Sequence, residues 1–166
     1  MKTLLLVRHA KSSWDNPDWT DLMRPLNARG FSDAAMMASI ISNKIAMPDL
    51  ILTSPAIRAL TTASIFVEQL GYSKDKLIID QNIYERGTNY VKKFVLSADD
   101  SNNFIMIFGH NPDITSLSSY FSGTYIDNVP TCGAVCIDFN VNKWQEIEET
   151  NGDLRFFDYP KKYKEK

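Results

Sequence analysis

Four short apolar runs constrain this chain more than any other feature: TLLLV at 3–7, DLILT at 49–53, KLIID at 76–80 and FIMIF at 104–108. Each is short for a helix and has no polar alternation, which is the pattern of strands covered on both faces. Such strands need helices above and below them, and the intervening segments supply these. In NARGFSDAAMMASIISNKI the residues Phe31, Ala34, Ala35, Ala38, Ile41 and Ile45 fall on one stripe, and in PAIRALTTASIFVEQLG Leu60, Ala63, Val67 and Leu70 do the same. A shorter helix is expected over 88–97, and PDITSLSSYFSG gives another, closed by Gly123. The alternation predicts an α/β fold, a three-layer α/β/α sandwich around a mainly parallel sheet. After Gly123 the pattern changes to GAVCIDFN, KWQEIEET and DLRFFDY, read as strands, the last two joined by the hairpin signal Asn151-Gly152. Antiparallel strands are therefore expected toward the C-terminus.

A chain of 166 residues, 44% hydrophobic, can bury one good core and scarcely two. It has no internal repeat and no linker rich in Pro, Gly or Ser, so residues 1–160 are expected to form one domain. The basic tail KKYKEK, 161–166, is expected to fray. A net charge of -2 with scattered lysines and arginines provides no basic stripe for nucleic acid. The start MKTLLLV imitates a secretory signal, but its apolar run stops at Arg8, short of the roughly 7 to 15 residues such a region needs. No stretch reaches the roughly 20 apolar residues of a membrane span. A soluble, cytoplasmic protein is expected, with no nucleic acid or membrane partner; oligomeric state is not legible.

Cys132 and Cys136 lie in TCGAVCIDF, read as a strand, where four residues span roughly 13 Å and a disulfide is excluded. Neither begins a C-x5-R phosphatase motif, because the sixth residue onward is Asp138 or Asn142. Packed, reduced thiols are expected.

Open α/β sheets place ligands at the carboxyl ends of their strands. Arg8 and His9 end the first strand. After DLILT, Ser54-Pro55 reads as an N-cap followed by proline at the first helical position, which puts Arg58 in the first turn. After FIMIF comes Gly109-His110-Asn111-Pro112, with Asn111 as N-cap and His110 just before the helix. Three junctions thus carry two arginines and both histidines of the chain. Helix N-termini and guanidinium forks suit a phosphate dianion, so a shared anionic site is expected.

At these residues, LLLVRHAKSSW, RPLNARG, LTSPAIRALTTA and IFGHNPDIT, and again at PTCGAV and the late tryptophan, the chain resembles the histidine phosphatase superfamily with its phosphoglycerate-mutase-like fold. Within it, the short SixA-like phosphohistidine phosphatase group is the most similar. The likeness runs from residue 3 to about 157. The wider family has R-H-G where this chain has Ala10 third, a feature the SixA-like group shares; the difference bears on substrate, since the chemistry rests on Arg8 and His9.

The resemblance implies His9 as a nucleophile that forms a phosphohistidine enzyme, which water then hydrolyses. Arg8 and Arg58 would hold the phosphoryl oxygens, and His110, facing the dianion, would be drawn toward its protonated, donating form. In the wider family a carboxylate after the third strand protonates the leaving group. Glu85 in NIYERGTN occupies the comparable place, with Asp21 the second candidate and Asp18 a third. Ser12 could add a hydrogen bond to phosphate.

No G-x-x-x-x-G-K-[ST] loop, G-x-S-x-G elbow or aspartate pair ending the first strand is present, and no carboxylate cluster has metal-ligand spacing. No metal or cofactor is expected. The expected substrate is phosphohistidine on a partner protein. The alternatives are a small phosphomonoester or, from another class, a phosphate-recognising module with dead chemistry; a mutase fits less well, as it needs a site closed to water.

Overall fold

The computed structural model describes residues 1–148 and 152–164. Among them six strands, β1 (Lys2–Arg8), β2 (Leu50–Thr53), β3 (Ile78–Ile79), β4 (Phe104–Gly109), β5 (Ala134–Phe139) and β6 (Asp153–Asp158), make one sheet. Its order is β3-β2-β4-β1-β5-β6. The first four strands are parallel, and β5 runs against both of its neighbours. Six helices accompany them: α1 (Ala28–Ser42), α2 (Ile57–Leu70), α3 (Gln81–Glu85), α4 (Gly87–Leu96), α5 (Asp113–Ser122) and α6 (Lys161–Lys164). No helix among the described residues is long and apolar enough to cross a membrane.

Successive residues of β1 and β4 feed opposite layers, which is why these strands read as continuous apolar runs. Leu5, Val7, Met106 and Phe108 pack with Met37, Ala38 and Phe66 of α1 and α2. Leu4, Leu6, Ile105 and Ile107 pack with Val91, Val95, Leu117 and Phe121 of α4 and α5. Burying one such side chain contributes about 1.5–3 kcal/mol, so this two-sided cover makes the sheet a rigid platform.

Several expectations are corrected. KLIID does not make a strand covered on both faces: β3 is a two-residue edge, with Ile78 42% and Ile79 54% exposed. The buried stripe of α1 is Asp33, Ala34, Met37, Ala38 and Ile41, whereas Phe31 and Ala35 face solvent. The rotation follows from Gly30, where a Cβ would collide with the carbonyl oxygen of Lys11. That carbonyl accepts the Asn27 N–H at 3.0 Å, and Asn27 Oδ1 caps the helix by accepting from Gly30 N at 2.8 Å. Helix and post-β1 loop are thereby joined backbone to backbone, and the face containing Gly30 must turn inward.

KWQEIEET is not a strand in its described part. Trp144–Glu146 form a 3-10 turn, Trp144 is fully buried, and its indole Nε1 donates to Asn102 O at 2.7 Å. Residues 149–151, including Asn151 of the expected hairpin, lie outside the described residues; β6 pairs with β5. The tail expected to fray forms α6 instead, as far as Lys164. Lys162 and Lys44 both bond the buried Asp158, at 2.9 and 2.5 Å, and Lys164 pairs with the buried Asp33. Cys132 precedes its strand, in a turn with φ 59°, and both cysteines are buried and free.

Candidate active site

The parallel register of β1 and β4 sets Arg8 opposite Gly109, so the next residues, His9 and His110, leave the sheet side by side. Their ring centroids are 5.3 Å apart. The backbone there is fixed on both sides: Arg8 N donates to Gly133 O at 3.0 Å, His9 N to Gly109 O at 3.1 Å, and Cys132 N to His9 O at 3.0 Å. Thr62 of α2 adds a hydroxyl acceptor for Ala10 N at 3.0 Å.

His9 is 7% exposed, and its Nδ1 lies 2.7 Å from Ala10 O. A carbonyl can only accept, so Nδ1 carries the hydrogen and Nε2 keeps its lone pair. Burial first, and then the charges of His110, Arg58 and Arg8, bring the imidazole pKa down to about 3 against the opposing effect of the Ala10 carbonyl. His110 is held at about 4, again by burial first and then by Arg58, with Asp21 opposing. Its Nε2 is 2.7 Å from Ser54 Oγ, which also accepts from Ala56 N at 3.2 Å. Ser54 is therefore a turn residue that holds His110, and α2 starts at Ile57, later than Ser54-Pro55 suggested. Similarly α5 starts at Asp113, while Asn111 Oδ1 still accepts from Thr115 N at 3.2 Å.

Arg58 is 5% exposed. Its Nη1 donates to Asp21 O at 2.6 Å and its Nη2 to Asp21 Oδ2 at 2.9 Å. Arg8 Nη1 donates to Val129 O at 3.1 Å. In this region Arg8 Nε, Arg58 Nε and His110 Nδ1 are buried with no hydrogen-bond partner among the described residues. Leaving a buried polar group unpaired costs about 1–3 kcal/mol, so three in one place mark a site organised for a ligand rather than for the empty chain. The surroundings are cationic and rich in N–H donors, which suits an oxyanion.

The other expected residues have different surroundings. Glu85 is exposed at the end of α3, accepting from Gln81 Nε2 at 3.0 Å. Its neighbour Tyr84 is the residue that reaches the site, its ring edge-on to His110 at 5.5 Å between centroids and its hydroxyl donating to Asp21 Oδ2 at 2.7 Å. Asp18 is exposed, with its N–H on Asn16 Oδ1. Ser12 is buried and accepts from Arg24 Nη1 at 2.9 Å. Arg24 also contacts Asp21 Oδ1 at 3.3 Å and stacks on Trp14, 3.5 Å from the ring centroid. Arg24, Tyr84 and Ser54 as a histidine partner were not singled out from sequence. The RPLNARG segment was the available signal for Arg24; Tyr84 carried none.

Asp21 is ionised. Burial alone would raise its pKa, but hydrogen bonds from Tyr84 and Arg58 and the charges of Arg58 and Arg24 bring it to about 2. Among the described residues no three His, Cys, Asp or Glu side chains group as metal ligands.

A family model described as the histidine phosphatase superfamily (branch 1) matches residues 4–92. An uncharacterized chloroplastic protein of Arabidopsis thaliana is 32% identical over 162 residues, covering 91% of this chain and 72% of its own length. Phosphoglycerate mutase 1 of Saccharomyces cerevisiae is 36% identical over 73 residues, 42% of this chain but 29% of the mutase. Among solved structures, the protein histidine phosphatase SixA complexed with tungstate superposes with a TM-score of 0.81 at 16% identity, covering 96% of this chain and 98% of its own. SixA from Agrobacterium tumefaciens gives 0.79 at 22%, with the same coverages. A mycobacterial glucosyl-3-phosphoglycerate phosphatase gives 0.68 at 14%, covering 96% of this chain and all of its own. At these identities the structures establish a shared fold.

Proposed function

This chain belongs to the histidine phosphatase superfamily, and from that premise we propose that it is a phosphatase working through a phosphohistidine on His9, with phosphohistidine of a partner protein as its substrate. The observation that carries the reading is the His9 Nδ1–Ala10 O hydrogen bond, which leaves Nε2 as a neutral nucleophile. Nε2 attacks phosphorus, the N–P bond forms, and the bond to the leaving group breaks with its electron pair. Water then attacks the phosphohistidine, releasing inorganic phosphate and returning the neutral imidazole.

Arg8, Arg58 and His110 offset the charge on the phosphoryl oxygens as it redistributes, through their unpaired donors. The approaching dianion reverses the electrostatics at His110, which takes a proton and donates. Ser12, already accepting from Arg24, supports this wall of the site. Glu85 serves leaving groups that need a proton; the imidazole of a phosphohistidine departs without much help, which favours that substrate.

The second reading, a phosphatase of a small phosphomonoester, draws on an open polar hollow of about 510 Å3 lined by Asn111, the residue after His110, and by Thr115, Ser116, Asp127 and Asn128. A module that only recognised phosphate would have no use for a histidine held in its nucleophilic tautomer.

Rapid quenching with labelled substrate should trap an acid-labile, base-stable phosphoryl group on His9, absent in His9→Ala. Label on another residue, or full turnover by the alanine variant, would refute the mechanism. Comparing kcat/KM across phosphohistidine proteins, phosphohistidine peptides and phosphomonoesters decides the substrate. Glu85→Gln should leave phosphohistidine turnover within about twofold of wild type while slowing only esters with poor leaving groups.

A further inference from the structure

Asp21 has no part in the steps above, yet among the described residues every hydrogen bond that the Arg58 guanidinium makes is to this one residue. The same Oδ2 receives Tyr84 OH at 2.7 Å, and Oδ1 receives Arg24 at 3.3 Å. Arg58 springs from the first turn of α2 on a long, rotatable stem, so nothing local to the helix fixes its far end. Asp21 sits in a 3-10 turn, Asp21–Met23, whose position depends on Arg24. Arg24 is held in turn by Ser12, four residues beyond Arg8, and by the face of Trp14. A continuous chain of contacts therefore runs from the loop after the nucleophile to the guanidinium across the site.

We propose that Asp21 is a positioning residue for phosphoryl binding: its backbone carbonyl and Oδ2 grip the two terminal nitrogens of Arg58, so that the remaining N–H groups stay beside His9. Tyr84, bonded to the same oxygen and edge-on to His110, extends the support to the second imidazole. An arginine has five N–H donors, and this grip takes two of Arg58's. The rest, including the unpaired Nε–H, are left for an oxyanion.

Two alternatives fail on chemistry. Asp21 as the acid for the leaving group needs a proton, but both its oxygens already accept from guanidinium or phenol donors, which keeps it ionised. Asp21 as a repelling charge is offset by two arginines to one carboxylate, so the cluster stays cationic.

The inference rests on the phosphoryl reading of the site, and the experiment separates the two. Inhibition by inorganic phosphate and kcat/KM for a series of aryl phosphates and a phosphohistidine peptide are measured for Asp21→Ala, Asp21→Asn, Asp21→Glu and Arg58→Ala, with folding followed by circular dichroism. Asp21→Ala should weaken phosphate binding and lower kcat/KM on the order of tenfold, by the same factor for every leaving group. Asp21→Asn keeps an acceptor for Arg58 and should lie within about threefold of wild type, the size of a few tenths of one charged hydrogen bond. Asp21→Glu, which keeps the charge but moves it outward, should resemble alanine and serves if Asp21→Ala does not fold. Adding Asp21→Ala to Arg58→Ala should bring little further loss. Equal losses in Asn and Ala that grow with leaving-group pKa, additive losses, or unchanged phosphate binding in Asp21→Ala would each overturn the proposal. If Arg58→Ala itself binds phosphate and turns over normally, the phosphoryl reading of the site falls instead.

Discussion

His9 and His110 face one another 5.3 Å apart with their ring planes inclined by 52°, and burial keeps both uncharged at neutral pH. One imidazole is braced by a carbonyl and the other by a hydroxyl. Identical side chains are thereby held by different hydrogen bonds, and different behaviour on protonation and ligand binding follows from that.

The buried, neutral state of His9 makes the fold acid-sensitive. Its folded pKa of about 3 lies below the unfolded value of 6.5. Between these the unfolded chain binds the proton and the native one does not, so stability falls as pH drops from about 6.5 toward 3. The full contribution is on the order of 3 to 5 kcal/mol. Denaturant midpoints measured from pH 7 to 4.5 should fall for wild type and fall less steeply for His9→Gln. Parallel curves would place the acid sensitivity elsewhere.

Anion binding should draw in a proton. Empty, His110 is neutral; a dianion beside it restores the balance in favour of imidazolium. Calorimetric titration with tungstate or phosphate at pH 6 to 7, in buffers of different ionisation enthalpy, should show net proton uptake after correction for the anion's own ionisation. His110→Gln should abolish most of it.

Ser54→Ala removes the hydroxyl shared by His110 and the Ala56 N–H. We expect a loss of about 1 kcal/mol in stability, the usual worth of a buried hydrogen bond. A drop in kcat/KM on the order of tenfold should accompany it, because a misaligned donor weakens transition-state contacts. Ser54→Thr, which keeps the hydroxyl, should recover most of the activity.

Thiol reagents should leave the native protein active. Burial raises the pKa of Cys132 and brings Cys136 to about 12, so neither forms a thiolate at ordinary pH. Iodoacetamide followed by mass spectrometry should find both unmodified in the folded protein and both alkylated in denaturant.

The elements that could be read from sequence are those whose burial is decided locally. β1 and β4 announce themselves because all of β4, and all of β1 up to Arg8 at its end, is buried, and the residues just beyond their ends follow from topology. The failures share another cause, a contact made at long range. Ile78 and Ile79 are apolar like the other strands, but nothing in their composition says that the sheet stops there. The inward face of α1 is set by Lys11, nineteen residues before Gly30, not by which face is greasiest. Trp144 is buried through Asp100 and Asn102, forty-odd residues away. Tyr84 and Arg24 are brought together at the site by Asp21, beside Tyr84's ring contact with His110 and Arg24's bond to Ser12, and a carboxylate reads the same in sequence whether it gives a proton or holds a guanidinium.

At Gly30 the missing side chain is itself a functional part. Any atom added there must push the Lys11 carbonyl, and the adjoining peptide is Ala10–Lys11, whose Ala10 oxygen fixes the His9 tautomer. Mutational tolerance at position 30 is therefore governed by the placement of His9, although the residue lies in a helix. A library built to reshape the rim of the site can vary exposed residues freely, but randomising position 30 would displace the backbone that carries His9 before any new pocket could matter.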